Sequence, residues 1–427
     1  MRHRWWPWLL LLLALVPALL IAKPRQQLSS TPPAENVSEA IFSNPNTLDP
    51  ALANTASDWA VDSNVFQPLF RVTSTGRVVG ELVSRYSIRG HELTLVIKPA
   101  LLTHGEDLTA KIVAEALARP LWSQVGSAAA AHLLSPVVGV RAVLSGSARY
   151  LSGVVVVNRD TVRIRLRHRV GPGFLKTLAN PVLSIVPPQD QERGGADWQL
   201  IDLDGTGGYR LQNWTPNGSL TFTRTSGRGP LEIVLDIYSS FKQAVLSFEN
   251  QTVSVVPVNP SRIALVPLRL VHEVRALPQP GDLYLVWRKG AVHASTYPTV
   301  SVSRWVSTSF RGRIPALHGR WPSTIASDRR MIIYVNQDLP EALQLAQTLA
   351  RLKPNRVTVR AVPLSRLKTM AQNNQISAYI GQADLFKSGT AMALAPMRSL
   401  WLVNPAIHEM RVFANGALAW HSLTSKP

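Results

Sequence analysis

The chain has 427 residues, 46% of them hydrophobic and 17% charged, so it is too apolar to be disordered and long enough for two or three domains of ~100–200 residues. Lys and Arg number 45 against 26 Asp and Glu, giving a formal charge of +19, and 35 of the 45 basic residues are Arg. There is no cysteine, which excludes disulfides, thiolate zinc sites, iron–sulfur clusters, a cysteine nucleophile and a lipid-modified N-terminal cysteine.

Arg2, His3 and Arg4 precede an unbroken apolar run from Trp5 to Ala22, which Lys23-Pro24-Arg25 closes. A basic start before a hydrophobic core is the pattern of an export signal. The run lies at the lower limit for spanning a bilayer, where ~20 residues are typical. Two outcomes follow. Cleavage after Ala22, with Leu20 an awkward residue at the −3 position, makes residues 1–22 a signal peptide; retention makes them an anchor. Both leave the remainder extracytoplasmic, with 23–36 as a polar, Pro-rich linker. Export disfavours nucleic acid as the partner of so basic a chain and leaves anionic lipid or acidic ligands.

From Ala40 onward the texture is mixed α/β. Thr94-Leu95-Val96-Ile97 reads as a buried strand, and Leu108–Ala118 as a helix with Asp107 as its N-cap and Ile112, Val113, Ala116 and Leu117 on one face. Val154–Val157 and Thr161–Arg169 flank the turn Asn158-Arg159-Asp160 and predict a hairpin. In the second of these strands Arg163, Arg165, Arg167 and Arg169 alternate with Val162, Ile164, Leu166 and His168, so period two puts all four on one face. That face is either a solvated outer surface or a seat for an acidic partner or lipid headgroups. A second hairpin is expected around Thr215-Pro216-Asn217-Gly218, and Glu341–Leu352 reads as an amphipathic helix before the strand Arg356–Val362. Asp202 and Asp204 are read as a polar turn rather than paired catalytic acids. The ten histidines offer no metal-binding spacing, and no nucleophile elbow or phosphate loop is present. No cofactor, metal or catalytic residue is expected.

Five pieces stand in an order of their own: Asn46-Thr47-Leu48-Asp49-Pro50, Asn64 to Phe70, Thr75 to Val83, Leu102 to Ala110, and Asp204-Gly205-Thr206-Gly207-Gly208-Tyr209-Arg210-Leu211. Together they resemble the family 5 extracellular solute-binding proteins, the peptide- and nickel-binding receptors of ABC importers. The resemblance covers Ser43–Thr225 well and the rest weakly. The chain departs from the family in lacking an acid at Lys111–Ile112, in a shortened stretch between about Leu268 and Arg329, and in keeping only Gly381 to Phe386 of a late acidic motif.

The resemblance implies a two-lobed periplasmic-binding-protein type II fold of the α/β class, with a hinge and an inserted subdomain. Residues 37–49, 204–260 and 395–423 would form lobe I, 50–203 the inserted subdomain and 261–394 lobe II. It implies a monomeric receptor that captures an oligopeptide or similar small solute for an ABC permease, not an enzyme. Asp384 is the candidate acid for the ligand's ammonium group, with a turn cap as the plainer reading. Trp401 is either a stacking wall or core. Ser43 and Asn44 either bond a ligand backbone or merely turn the chain, and Thr206 is read as structural. The alternative is a membrane-anchored, degenerate scaffold that acts as a structural or sensory partner, favoured by the motif loss after residue 261.

Overall fold

Alternation of Val37, Glu39 and Ile41 with Ser38 and Ala40 makes Asn36–Ile41 the first strand, β1. The computed structural model describes residues 36–103, 105–187, 203, 205–288, 299–301, 320–322, 331–337, 340–352, 357–381 and 389–425. The apolar run Trp5–Ala22, the linker up to residue 35, Asp202, Asp204 and Asp384 lie outside the described residues. Among the described residues no helix is long and apolar enough to cross a membrane.

After β1 the chain turns into helix α1 (Ala56–Val65) through a capping box. Thr55 accepts from the Asp58 amide at 3.1 Å while the Asp58 carboxylate accepts from the Thr55 amide at 2.9 Å, satisfying two otherwise orphaned donors. Strands β2 (Val83–Arg89), β3 (Glu92–Ile97), β4 (Val154–Val156) and β5 (Thr161–Arg165) then form an antiparallel sheet in the order β2-β3-β5-β4. The hairpin expected at Asn158–Asp160 is present, although its second strand ends at Arg165. Helix α2 (Ala110–Ala118) covers one face of this sheet. Leu93, Leu95, Val162 and Ile164 join Ile112, Val113 and Leu117 in a core drawn entirely from residues 69–185. Each such side chain contributes roughly 1.5–3 kcal/mol by leaving water.

The start of α2 differs from expectation. Its cap is Thr109, which accepts from the Ile112 amide at 3.4 Å, and not Asp107. Asp107 is held in an extended bridge to Leu101 and pairs with Arg159, so it is too far upstream to cap.

Besides β1, the strands of the largest sheet are β6 (Tyr209–Thr215), β7 (Ser219–Arg224), β8 (Glu232–Ile237), β9 (Val255–Val258), β10 (Val274–Arg288), β11 (Met331–Asn336), β12 (Val357–Val362), β13 (Ala378–Gly381) and β14 (Gly389–Val403). With β1 they make one ten-stranded mixed sheet, ordered β12-β11-β13-β10-β14-β9-β1-β8-β7-β6. β1 runs parallel to β8 and β9, and β11 runs parallel to β12 and β13. Two 15-residue antiparallel strands, β10 and β14, join these groups, with register shifts between Pro278 and Asp282 and between Leu283 and Tyr284. Proline in both strands, at Pro278 and at Pro396, suits such an irregular crossing because it cannot donate to a ladder.

Period two then loads both faces of each end. Around β1, Val37, Ile41, Val255, Trp401 and Val403 enter one core, while Ala40, Val256, Leu400 and Leu402 face helix α3 (Phe241–Glu249) in another. Around β11, Ile333 and Val335 share a core with Ala342 and Leu345 of helix α4 (Pro340–Leu352), and Tyr334 and Tyr379 lie in a separate one.

Candidate functional site

The motif that opens the resemblance is a structural anchor. Asp49, in the loop between β1 and α1, receives both arms of the Arg119 guanidinium at 2.9 and 2.7 Å, with the two side chains 2% and 1% exposed. Asp58 gathers the same loop by accepting from the Asn46 amide at 2.6 Å and the Asn54 amide at 3.0 Å. Asp62, one turn further along α1, is fully buried, and neither carboxyl oxygen has a hydrogen-bond partner among the described residues. Burial, with the nearby charges of Asp58 and Asp49, holds its carboxyl well above the usual range.

The glycine turn answers to the same packing. A Cβ on Gly205 or Gly207 would run into the carbonyl oxygens at the end of α1. Thr206, 7% exposed, accepts from the Gln67 amide at 2.8 Å, a structural role. Tyr209 follows, its hydroxyl donating to the Pro230 carbonyl at 3.0 Å and its ring meeting Trp420 edge-on. The Trp420 indole in turn donates to Glu39 at 2.8 Å. Buried inside β1, Glu39 is pushed up to about 8 by desolvation, only partly opposed by that hydrogen bond.

A cavity of about 580 Å³ lies where β1 and β8, two neighbouring parallel strands, reach their carboxyl ends. Such ends are where open α/β sheets bind ligands, because the loops there diverge. Phe42, Ser43 and Asn44 continue from β1, Tyr238 and Ser239 from β8, and Gln243 and Ser247 come from α3. Asn44 clamps the β6–β7 turn: its amide group donates to the Asn217 side chain at 2.5 Å and its carbonyl accepts from the Asn217 backbone at 2.9 Å. Ser43 is exposed and shares a hydrogen bond of 3.0 Å with Ser57. Burial raises the Tyr238 hydroxyl above its ordinary range despite a hydrogen bond with Ser247. Among the described residues the lining is neutral, mixing Ser, Asn, Gln and Tyr side chains with Phe42 and Ile237, and carries no carboxylate or cation. Such a surface can exchange hydrogen bonds with amides and hydroxyls.

A second cavity, of about 700 Å³, lies between the segment following α1 and the C-terminal segment Met410–His421. Its charges are largely engaged with one another. Arg71 pairs with Glu81 at 2.7 Å, Gln67 donates to Glu81 at 3.2 Å, and Lys98 donates to the carbonyls of Gly80 and Glu81 at 3.0 and 2.7 Å. Burial lowers the His421 imidazole and favours its neutral form. Among the described residues no three His, Asp or Glu side chains gather as a metal site.

Of the residues singled out in the sequence, Ser43 and Asn44 share the first cavity, and Trp401 is not on its wall. Trp401 sits in β14 opposite Pro257 and Arg275, 4% exposed, in the core that contains Leu48 and Val255. Its indole nitrogen has no hydrogen-bond partner among the described residues. Asp384 is outside the described residues. Tyr238, Gln243 and Ser247 were not legible as site residues. The available signal was the strand Glu232–Ile237 running straight into the Ser240 helix cap, which places a strand end beside a helix start.

The chain has the fold of the family 5 extracellular solute-binding proteins. No family model matches it. The unliganded open form of MppA, a periplasmic murein tripeptide-binding protein, matches with a TM-score of 0.65 at 13% identity, over 88% of this chain and 94% of its own. NikA from Brucella suis, in complex with Fe(III)-EDTA, matches with a TM-score of 0.64 at 13% identity, over 92% and 100%. In sequence, the glutathione-binding protein GsiB of Salmonella choleraesuis strain SC-B67 is 27% identical over 197 residues, 45% of this chain. That match spans 35% of the length of GsiB, about a third. These likenesses bear out the family resemblance read from the sequence and the two-lobed α/β fold it implied.

Proposed function

We propose that the chain is an extracytoplasmic solute-binding protein that captures an oligopeptide or similar small solute and delivers it to an ABC permease, making and breaking no bond in the solute. The observation that carries this reading is the neutral, amide-compatible cavity at the carboxyl ends of β1 and β8, set in a fold shared over most of the chain with solute receptors. Ser43 and the Tyr238 hydroxyl would bond the ligand's backbone, with Asn44 holding the wall in place. Asp384 is proposed as the partner of the ligand's ammonium group. In a closed cleft such a pair is screened less than on a surface and contributes more than the ~0–1 kcal/mol of an exposed pair.

The same proposal covers the lobes. Residues 37–49, 204–260 and 395–423 form lobe I, 50–203 its inserted subdomain and 261–394 lobe II, with β10 and β14 as the hinge strands. Separate cores on residues 69–185 and around β11 support the inserted subdomain and lobe II, whereas Ala60, Val61, Val65 and Phe66 of α1, with Val186 and Leu203, pack into the core around β1 and draw the subdomain's edge in toward residue 69. The receptor acts as a monomer outside the cytoplasm, released or anchored by residues 1–22. The burial of Trp401 favours the second reading, a scaffold that has lost its pocket and serves a membrane complex structurally.

Thermal unfolding of the full chain with pools of di-, tri- and tetrapeptides separates the two. A ligand at 100 times its Kd stabilises the native state by about 2.7 kcal/mol, a shift of several degrees. Asp384→Ala should abolish that shift for peptides with a free amino terminus. A shift unchanged in Asp384→Ala overturns the ammonium assignment, and no shift with any pool overturns the receptor reading in favour of the scaffold.

A further inference from the structure

The outer face of the β2-β3-β5-β4 sheet is an array of arginines. Register aligns Arg85 with Val96 and Thr161, Ser87 with Thr94, Arg163 and Val155, and Arg89 with Glu92 and Arg165. Residues directly opposite across antiparallel strands share a face. The other face is the one closed by the core under α2. Arg85, Arg89 and Arg165 are exposed, and the Arg163 side chain keeps 42% of its surface accessible. Arg167 extends the alternation past Leu166, also exposed, and donates to the Ser135 carbonyl.

These five arginines meet one carboxylate within the aligned strands, Glu92, which lies 3.6 Å from Arg163. Strands are ~4.8 Å apart and same-face residues ~6.6 Å apart along a strand, so the four central arginines spring from a patch of sheet roughly 10 by 13 Å. Beside it, on edge strand β4 and the residue after it, Val155 and Val157 are 47% and 48% exposed. A predominantly basic array fringed by aliphatic side chains complements an anionic surface with an apolar layer beneath it. Guanidinium groups bind phosphate in a bidentate manner, which an ammonium group does not.

We propose that this sheet face docks the protein on the anionic headgroups of a phospholipid bilayer, with Val155 and Val157 at the headgroup–acyl boundary. The proposal does not depend on the solute-binding reading. It gives the inserted subdomain a role in holding the protein against the membrane, independent of the cavity.

Because the chain lacks cysteine, Val157→Cys in the full chain offers a single attachment point for an environment-sensitive fluorophore. Mixed with vesicles of phosphatidylcholine and phosphatidylglycerol at 3:1, the label should brighten and shift to the blue, and with pure phosphatidylcholine it should not. Its position reports contact at this face even when residues 1–22 themselves insert. Replacing Arg85, Arg89, Arg163 and Arg165 by Ser should lower the anionic-vesicle partition about fivefold per residue. Replacing the exposed Arg351, Arg360, Arg366 and Lys368 by Ser, an equal loss of charge elsewhere, should leave the label's response in place. Glu92→Gln should strengthen binding. An unresponsive label, or equal loss in both quadruple variants, overturns the proposal. So does a response to duplex DNA at the same ionic strength with none to vesicles, which would assign the face to nucleic acid.

Discussion

Ser43 and Asp49 stand six positions apart in the chain, and they belong to opposite kinds of site. Around Asp49 the chain is over-determined: a bidentate buried ion pair to Arg119, an Asp58 carboxylate gathering loop amides, and glycines pressed on the end of α1. Around Ser43 the side chains are neutral, partly exposed and lightly bonded, and they surround empty volume. The comparison teaches that the recognisable opening motif fixes the frame, whereas the surface suited to a solute comes from residues that carry no motif.

The sharpest way to break that contrast is at the ion pair. Arg119→Met leaves the Asp49 carboxylate buried without its partner, and the loss should be about 3–5 kcal/mol. The midpoint of urea unfolding measures it, and a loss below 1 kcal/mol would mean that the loop has other supports. Pairing Arg119→Met with Asp49→Leu should restore much of the stability, since no charge is then stranded.

Glu39 tests the frame through pH. Its folded value of about 8 stands above the ordinary 4.5, so the folded state holds a proton that the unfolded chain has released. Its contribution is complete below pH 4.5 and is lost as pH rises through 8, about 3 kcal/mol between pH 5 and 8. Glu39→Gln keeps a side-chain oxygen for the Trp420 indole but cannot ionise. Thermal unfolding of the variant should therefore show a flatter decline over that range than the parent, and identical profiles would contradict the assignment.

Gly207→Ala should cost roughly 1–3 kcal/mol, the range for forcing extra volume into a packed site, because backbone and not a movable side chain stands in the way. Its far-ultraviolet spectrum should keep the native form while its unfolding midpoint drops.

The cavity should behave in the reverse manner. Ser43→Ala and Tyr238→Phe should each lower stability by no more than about 1.5 kcal/mol, the worth of the hydrogen bonding each has to Ser57 or Ser247. Each removes one neutral hydrogen-bonding group, worth about 0.5–1.5 kcal/mol, so peptide affinity should fall about two- to tenfold, read by titration calorimetry. Unchanged affinity in both would move the ligand wall elsewhere.

Local pattern made much of the fold legible. The hairpins at Asn158–Asp160 and Thr215–Gly218 and the helix Glu341–Leu352 stand close to where periodicity and turn chemistry put them. The N-cap of α2 was misread because Asp107 and Thr109 are both good caps, and a long-range bridge from Leu101 to Asp107 decided between them. Of the site, Ser43 and Asn44 were legible through the resemblance, whereas Tyr238, Gln243 and Ser247 were not. A neutral Tyr, Gln or Ser in a loop carries no spacing that marks it as a wall, since the cavity exists only where separate strand ends converge.

By itself the sequence determined the α/β class, the arginine alternation on β5 and the opening motif, all of which rest on spacings of two to five residues. Tertiary structure alone decided that Asp49 is an ion-pair anchor to a residue 70 positions away, that Trp401 packs in a core, and that β2 adds Arg85 and Arg89 to the face begun by Arg163 and Arg165. Those outcomes depend on which distant segments pair and in what register, and a difference of one residue in register turns every side chain to the opposite face.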